Sequence, residues 1–240
     1  MSDPRWSVII PAFNEALRLP RYLDEVVGYF EDRGEPYEVL VADDGSTDAT
    51  AEVVRAVAHA HTQVHLLPSV ANRGKGDAVR RGMLAAAGDL RLFADADGAT
   101  PISELKRLEA ALQGGADIAI GSRVKPDPGV SVSARPHRVA AGRVFNWLVS
   151  WTGLTDIGDS QCGFKVFTAA AARDLFPRVQ GRSFGFDVEV LLLARARGWR
   201  IAEVAVNWSD QPGSKSGVLT DGPRMLREIM LARLRIHLRP

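Results

Sequence analysis

The chain has 240 residues, 46% hydrophobic and 25% charged, a balance that fits a soluble globular protein with a substantial core. Its formal net charge of +1 argues against a nucleic-acid partner held by bulk electrostatics. One cysteine, Cys162, excludes an internal disulfide and fits a reducing compartment, and the five histidines show no metal-ligand spacing.

Residues 1–6 run straight into a strand pattern, with no apolar stretch of signal length. No run reaches the roughly 18 apolar residues of a spanning helix, so the chain is expected not to cross a membrane. Ser7-Val8-Ile9-Ile10 reads as a strand stopped at Pro11, followed by a helix from about Glu15 to Asp32. Tyr37 to Ala42 is the second strand and ends at Asp43-Asp44-Gly45. A helix from Thr47 to His59 follows, with Ser46 or Thr47 as its N-cap. Val64 to Leu67 is a third strand, and Asn72-Arg73-Gly74-Lys75-Gly76 opens a helix that Gly88 closes. Leu90 to Ala94, a helix over 101–113 and Asp117 to Gly121 complete this half.

Apolar strands alternating with helices predict an α/β fold with a parallel sheet covered on both faces. Ligands of such sheets bind beyond the carboxyl ends of the strands. Pro11 to Glu15, Asp43 to Asp48 and Asp95 to Asp97 all fall at those ends.

After residue 125 the pattern changes. Residues 125–136 carry three prolines and a glycine and read as a loop. Helices are predicted over Val139–Trp151, Phe186–Arg197 and Pro223–Leu238, with an alternating strand over Ile201–Trp208 and a Gly/Ser-rich loop over Gln211–Gly217. The last helix is amphipathic and basic, a composition that suits either a membrane interface or packing on the sheet with its arginines in solvent.

Four constellations carry candidate chemistry. Asp95 and Asp97, alternate residues at the end of an apolar run, are expected to aim at one point and suit a divalent cation holding phosphate oxygens. Asp43-Asp44-Gly45-Ser46-Thr47-Asp48 reads either as a capped turn or as carboxylates accepting from a nucleobase or ribose. Asn72 to Gly76 lacks the spacing of a nucleoside-triphosphatase loop, leaving a plain tight turn or amides and Lys75 for an anion. Arg123, Arg135, Arg138 and Arg143 precede a helix with two tryptophans. They read as a solvated face or as the seat of a lipid phosphate arriving from a bilayer.

The chain resembles the family 2 glycosyltransferases, which have a GT-A fold. Val8-Ile9-Ile10-Pro11-Ala12-Phe13-Asn14-Glu15, Val41 to Asp48, Asn72 to Gly76 and Asp95-Ala96-Asp97 occur in that family's order and spacing. The second half is similar to the dolichyl-phosphate β-glucosyltransferase branch. It carries Gly121-Ser122-Arg123, Asp159 to Lys165, Phe186-Asp187-Val188-Glu189, Glu203 to Trp208 and Gly213-Ser214-Lys215.

The resemblance implies a GT-A (Rossmann-like) fold over the whole chain: a mostly parallel central sheet, helices on both faces and amphipathic helices at the C-terminus. Residues 1–125 would form the nucleotide-sugar half and 126–240 the acceptor half. It implies inverting transfer of a hexose from a UDP-sugar to polyprenyl or dolichyl monophosphate, glucose first, with N-acetylhexosamine or mannose as alternatives. Transfer to a soluble or protein-borne acceptor, and a silent sugar-nucleotide-binding subunit of a membrane complex, are the other readings.

By the same likeness, Pro11, Ala12, Asn14, Glu15, Asp43, Asp44, Lys75 and Ala96 would contact the donor. Asp95 and Asp97 would hold Mg²⁺ or Mn²⁺ with the diphosphate, and Lys215 would close over it. Arg123 and one or more of Arg135, Arg138 and Arg143 would hold the acceptor phosphate. Asp159 and Gln161 are candidates for lining the reacting carbon or completing the metal site, with Asp159 as a possible base. Ala99, where the mannosyl branch often has Gln, can hold no metal. Eukaryotic members carry an N-terminal anchor not read here, so the expectation is a cytoplasmic protein bound peripherally to the inner membrane face, by its own helices or a membrane partner.

Overall fold

The computed structural model describes residues 3–134, 149, 154–211 and 218–238. The elements in chain order are β1 (Trp6–Ala12), α1 (Leu19–Arg33), β2 (Tyr37–Asp43), α2 (Thr50–Ala60), β3 (Val64–Leu67), α3 (Lys75–Ala85), β4 (Leu90–Ala94), α4 (Leu105–Gln113) and β5 (Ile118–Ser122). Then come β6 (Val132–Ser133), β7 (Phe164–Thr168), α5 (Ala169–Leu175), α6 (Phe186–Ala196), β8 (Ile201–Ala205), β9 (Trp208–Ser209) and α7 (Val218–Leu238).

One seven-stranded sheet runs β3-β2-β1-β4-β7-β5-β8, and β6 pairs with β9 in a separate ribbon. Every neighbour in the large sheet is parallel except β7, which runs antiparallel to both β4 and β5. The mostly parallel α/β architecture matches the expectation. β7 (Phe164–Thr168) is not among the strands expected from the sequence.

Alternate residues of a strand face opposite sides of a sheet. Val8 and Ile10 accordingly join Leu23, Val26 and Phe30 of α1 in one buried layer. Ile9 and Phe93 join Val79 and Met83 of α3, and Val188 and Leu191 of α6, in the other. Both faces are covered, which is what continuously apolar strands require.

Four boundaries differ from the sequence expectations. Helix α1 begins at Leu19 and α2 at Thr50, later than expected, because residues 14–16 hydrogen-bond to residues 46–48 and to Thr50 across the two loops. Helix α3 stops at Ala85. Gly88 is not its cap but lies against β1, where its N–H donates to Ser7 Oγ at 2.8 Å and an added Cβ would meet Ser7 N at 2.7 Å. The expected strand over Ile201–Trp208 divides into β8 and β9.

The helix expected over Val139–Trp151 falls outside the described residues apart from Val149, which is buried. Arg135, Arg138, Arg143 and the Gly213–Lys215 segment also lie outside them. Among the described residues no helix is long and apolar enough to cross a membrane.

Candidate active site

The strand order reverses between β1 and β4, the switch point at which open α/β sheets bind ligands. A cavity of about 460 Å³ opens there, beyond the carboxyl ends of β1, β2 and β4. Pro11, Ala12, Phe13, Glu15 and Arg18 form the wall contributed by β1 and its loop. Asp44, the Asn72–Lys75 turn, Asp95, Ala96 and Asp97 form the next, and Ser183 and Phe184 close the far side.

The loops that frame this cavity are stitched together. Asn14 adopts a left-handed φ of 55°, which asparagine tolerates better than most residues. Its Oδ1 accepts from Thr47 N at 2.8 Å and Asp48 N at 3.3 Å, while its own N–H donates to Ser46 Oγ. Asp43 accepts from the Ser46 N–H and hydroxyl. Neither Asn14 nor Asp43 lines the cavity; both side chains hydrogen-bond within the loops that frame it. Asp44 does line the cavity, and its two oxygens accept from Arg73 N and Gly74 N, each at 2.8 Å.

The backbone of the glycine turn before α3 is tied into the protein. The amides of Arg73 and Gly74 serve Asp44, and Gly76 N donates to Arg182 O at 2.8 Å. These N–H groups are committed within the protein, so what this turn offers an anion is the side-chain charge of Arg73 and Lys75, both on the cavity wall. Close packing of the turn against Gly181 and Arg182 is what excludes side chains there: a Cβ at Gly74 would lie 2.2 Å from Arg182 O.

Asp95 and Asp97 lie past the end of β4, in a turn closed by Gly98 N and Asp95 O at 3.3 Å. Their convergence therefore comes from that turn and not, as expected, from strand alternation. Asp95 N donates to Gly163 O at 2.9 Å, and Asp95 Oδ1 sits 2.7 Å from Lys75 Nζ. Burial, then the charge of Asp95, pushes the Asp97 carboxyl above the usual carboxylate range. Burial works against the Lys75 charge, but Asp95, Asp187 and Asp97 outweigh it and hold the ammonium above its ordinary pKa. The ammonium also lies 5.1 Å from the Phe93 ring and 5.4 Å from that of Phe184.

Asp159 and Gln161 are not on the wall of this cavity. The Asp159 carboxylate is fully buried and gripped by Arg123, whose N, Nε and Nη2 donate at 3.0, 2.7 and 2.8 Å. Burial raises its pKa, but Arg123 more than reverses this and holds it below the ordinary range. A carboxylate so placed is a poor proton acceptor, which removes the physical basis for the expected base role. Gln161 donates its side-chain amide to Phe184 O at 3.2 Å. Among the described residues no group of three or more acidic, His or Cys side chains is placed to hold a metal, so Asp159 completes no such set. Arg123, expected at the acceptor phosphate, has two guanidinium nitrogens on Asp159 and lies 5.5 Å from the Trp208 ring.

Phe13, Arg18, Ser183 and Phe184 line the cavity without having been singled out as site residues. Arg18 carried a usable signal, standing three residues after Glu15. Ser183 and Phe184 carried one only through their neighbour, the Phe186–Glu189 run.

The family model Glycosyl transferase family 2 matches residues 7–177. This chain belongs to that family. As a family 2 glycosyltransferase it is 43% identical over 222 residues to a dolichyl-phosphate beta-glucosyltransferase of Drosophila melanogaster, covering 87% of this chain and 68% of the fly protein. It is 40% identical over 224 residues to a protein of the same description from Trichomonas vaginalis, covering 89% of this chain and 66% of that one. Against the human dolichyl-phosphate beta-glucosyltransferase the identity is 37% over 243 residues, covering 95% of this chain and 75% of the human protein. The glycosyltransferase thus spans about two thirds to three quarters of the length of these relatives.

In fold it is similar to glucosyl-3-phosphoglycerate synthase from Mycobacterium tuberculosis in complex with UDP, at a TM-score of 0.69 and 22% identity, covering 99% of this chain and 81% of that one. A second structure of that synthase, in complex with Mn²⁺, UDP and glucosyl-3-phosphoglycerate, matches at a TM-score of 0.68 and 22% identity over 97% of this chain and 80% of that one.

Proposed function

We propose that this glycosyltransferase moves glucose from UDP-glucose to a dolichyl- or polyprenyl-type monophosphate, with inversion and with a divalent cation. The observation that carries this reading is the convergence of Asp95, Asp97 and Lys75 on one cavity at the switch point of the sheet. The names of the relatives support glucose as the sugar and dolichyl phosphate as the acceptor.

The donor set suits a cation. Two carboxylates share the wall, and burial first, then the charge of Asp95, pushes the Asp97 pKa up; a cation bound between them would relieve both costs. Mg²⁺ and Mn²⁺ accept one or two carboxylates and take their other positions from phosphate oxygens and water. Asp95 and Asp97 would hold it, and when bound it would offset charge developing on the departing diphosphate. Lys75 adds a point charge on the same wall. Pro11, Ala12, Glu15, Asp44 and Ala96 stand where a uridine and its ribose would be bounded.

The acceptor needs positioning more than deprotonation. A phosphomonoester loses its second proton near pH ~6, so its oxyanion is already present at neutral pH. An Asp159 locked in an ion pair is compatible with that chemistry. Arg123 is the described member of the cationic set expected to hold the acceptor phosphate, with Arg135, Arg138 and Arg143 outside the described residues, as is Lys215, expected to close over the donor's diphosphate. Helix α7 supports a peripheral membrane position: Met225, Ile229 and Ala232 are buried, while Met230, Leu231 and Leu234 are exposed beside exposed Arg227 and Arg233.

The test is transfer of radiolabelled sugar into an organic-soluble product. Purified protein with UDP-glucose, polyprenyl phosphate and Mg²⁺ or Mn²⁺ should yield a labelled lipid that disappears when the lipid phosphate is omitted or EDTA is added. Transfer to glycerol phosphate with none to the lipid would overturn the acceptor. No turnover across UDP-glucose, UDP-N-acetylglucosamine and a mannose donor would overturn the enzyme assignment.

A further inference from the structure

Arg18 immediately precedes α1 and stands on the wall shared by the donor cavity and a smaller cavity of about 260 Å³ beside it. Two of its three guanidinium nitrogens are spent on one neighbour: Nε donates to Glu15 Oε2 at 2.7 Å and Nη2 to Glu15 Oε1. The third, Nη1, is buried and has no hydrogen-bond partner; its nearest counter-charge, Asp97 Oδ2, is 3.7 Å away. A buried cationic donor left without an acceptor is costly and rare in folded proteins. The paired bonds to Glu15 fix the orientation of the guanidinium.

The surroundings identify the acceptor that would satisfy it. Lys75 flanks Asp95 on one side of the carboxylate pair and Arg18 flanks Asp97 on the other, so the pair lies between two cations on the wall of one cavity. A guanidinium matches phosphate oxygens in charge and geometry better than it matches any neutral part of a nucleotide sugar. We propose that Arg18 is a diphosphate-binding residue of the donor site, oriented by Glu15 and donating through Nη1 to the pyrophosphate of a nucleoside diphosphate. This rests on the donor-site reading above.

Binding separates the two claims. Titrations of wild type, Arg18→Gln and Arg18→Lys with UDP by calorimetry, and with uridine by NMR, are run with Mn²⁺ and again in EDTA, on proteins whose melting temperatures match. Arg18→Gln should weaken UDP about tenfold or more in both conditions and leave uridine unchanged, with partial recovery in Arg18→Lys. Equal losses for UDP and uridine would mean that Arg18 only shapes the cavity, and an unchanged UDP affinity would mean that Nη1 has no phosphate partner; either result overturns the proposal. If the wild type binds neither ligand, the donor site itself is wrong and the proposal falls with it.

Discussion

Gly163 shows how little room surrounds the carboxylate on which the site depends. Its carbonyl takes the Asp95 N–H at 2.9 Å, and a Cβ added to it would lie 1.9 Å from Asp95 Oδ2. Gly163→Ala should therefore displace Asp95 rather than be absorbed, lowering kcat/KM on the order of a hundredfold with a modest change in melting temperature. A variant with wild-type kinetics would show that Asp95 has freedom its packing denies. Asp159 is the opposite case, a carboxylate whose partner is close at hand. Because Arg123 holds its pKa below the ordinary range, its stabilisation is present above about pH 4 and is lost as the pH falls below that. Asp159→Ala should cost about 3 kcal/mol in urea unfolding, unchanged between pH 6 and 8 and shrinking in acid. The pH–rate profile should show no Asp159 ionisation near neutrality. Sequence alone indicated that both residues mattered, but their roles depend on which neighbours a distant segment supplies.

At the scale of elements, the strands that carry the site were legible because β1, β2 and β4 are short, mostly apolar runs with an acidic residue at or within three residues of their ends. The helix starts were not, since Glu15 and Thr47 have ordinary helical neighbours and are withdrawn from the helices by bonds between loops. Strand β7 was not among the strands expected from the sequence; its Lys165 is fully buried against Phe93 and donates to Asp187 Oδ1 at 2.5 Å and Cys162 O at 2.6 Å. A lysine in a strand reads as exposed until a helix from elsewhere brings a carboxylate to it. Lys165→Met leaves Asp187 buried without its cation and should destabilise by about 3–5 kcal/mol. Lys165→Met with Asp187→Leu should recover most of that, as chemical denaturation of both variants would reveal. If the double variant is no better than the single, the pair also serves a structural bond that apolar packing cannot replace, and the bond from Lys165 to Cys162 O is the candidate.

For the whole molecule, helix α7 joins surface to site. Its apolar residues Met230, Leu231 and Leu234 are 59%, 44% and 58% exposed, a stripe that a helix packed only for stability would turn inward. From the same helix, Arg235 reaches Glu189 at 3.1 Å, and Glu189 accepts from Gln180 N and Gly181 N just ahead of cavity-lining Ser183 and Phe184. Replacing the three apolar residues with Gln should lower partition onto anionic vesicles ~10-fold or more while UDP affinity stays unchanged. Equal partition of both proteins would remove α7 as the membrane-facing element. The central claim is that Asp95 and Asp97 hold a cation together with the donor's diphosphate. A crystal of this chain grown with Mn²⁺ and UDP, measured at the manganese edge, tests it most directly. An anomalous peak is expected within coordination distance of both carboxylates and of the diphosphate. A peak elsewhere, or UDP bound away from the switch-point cavity, would contradict it.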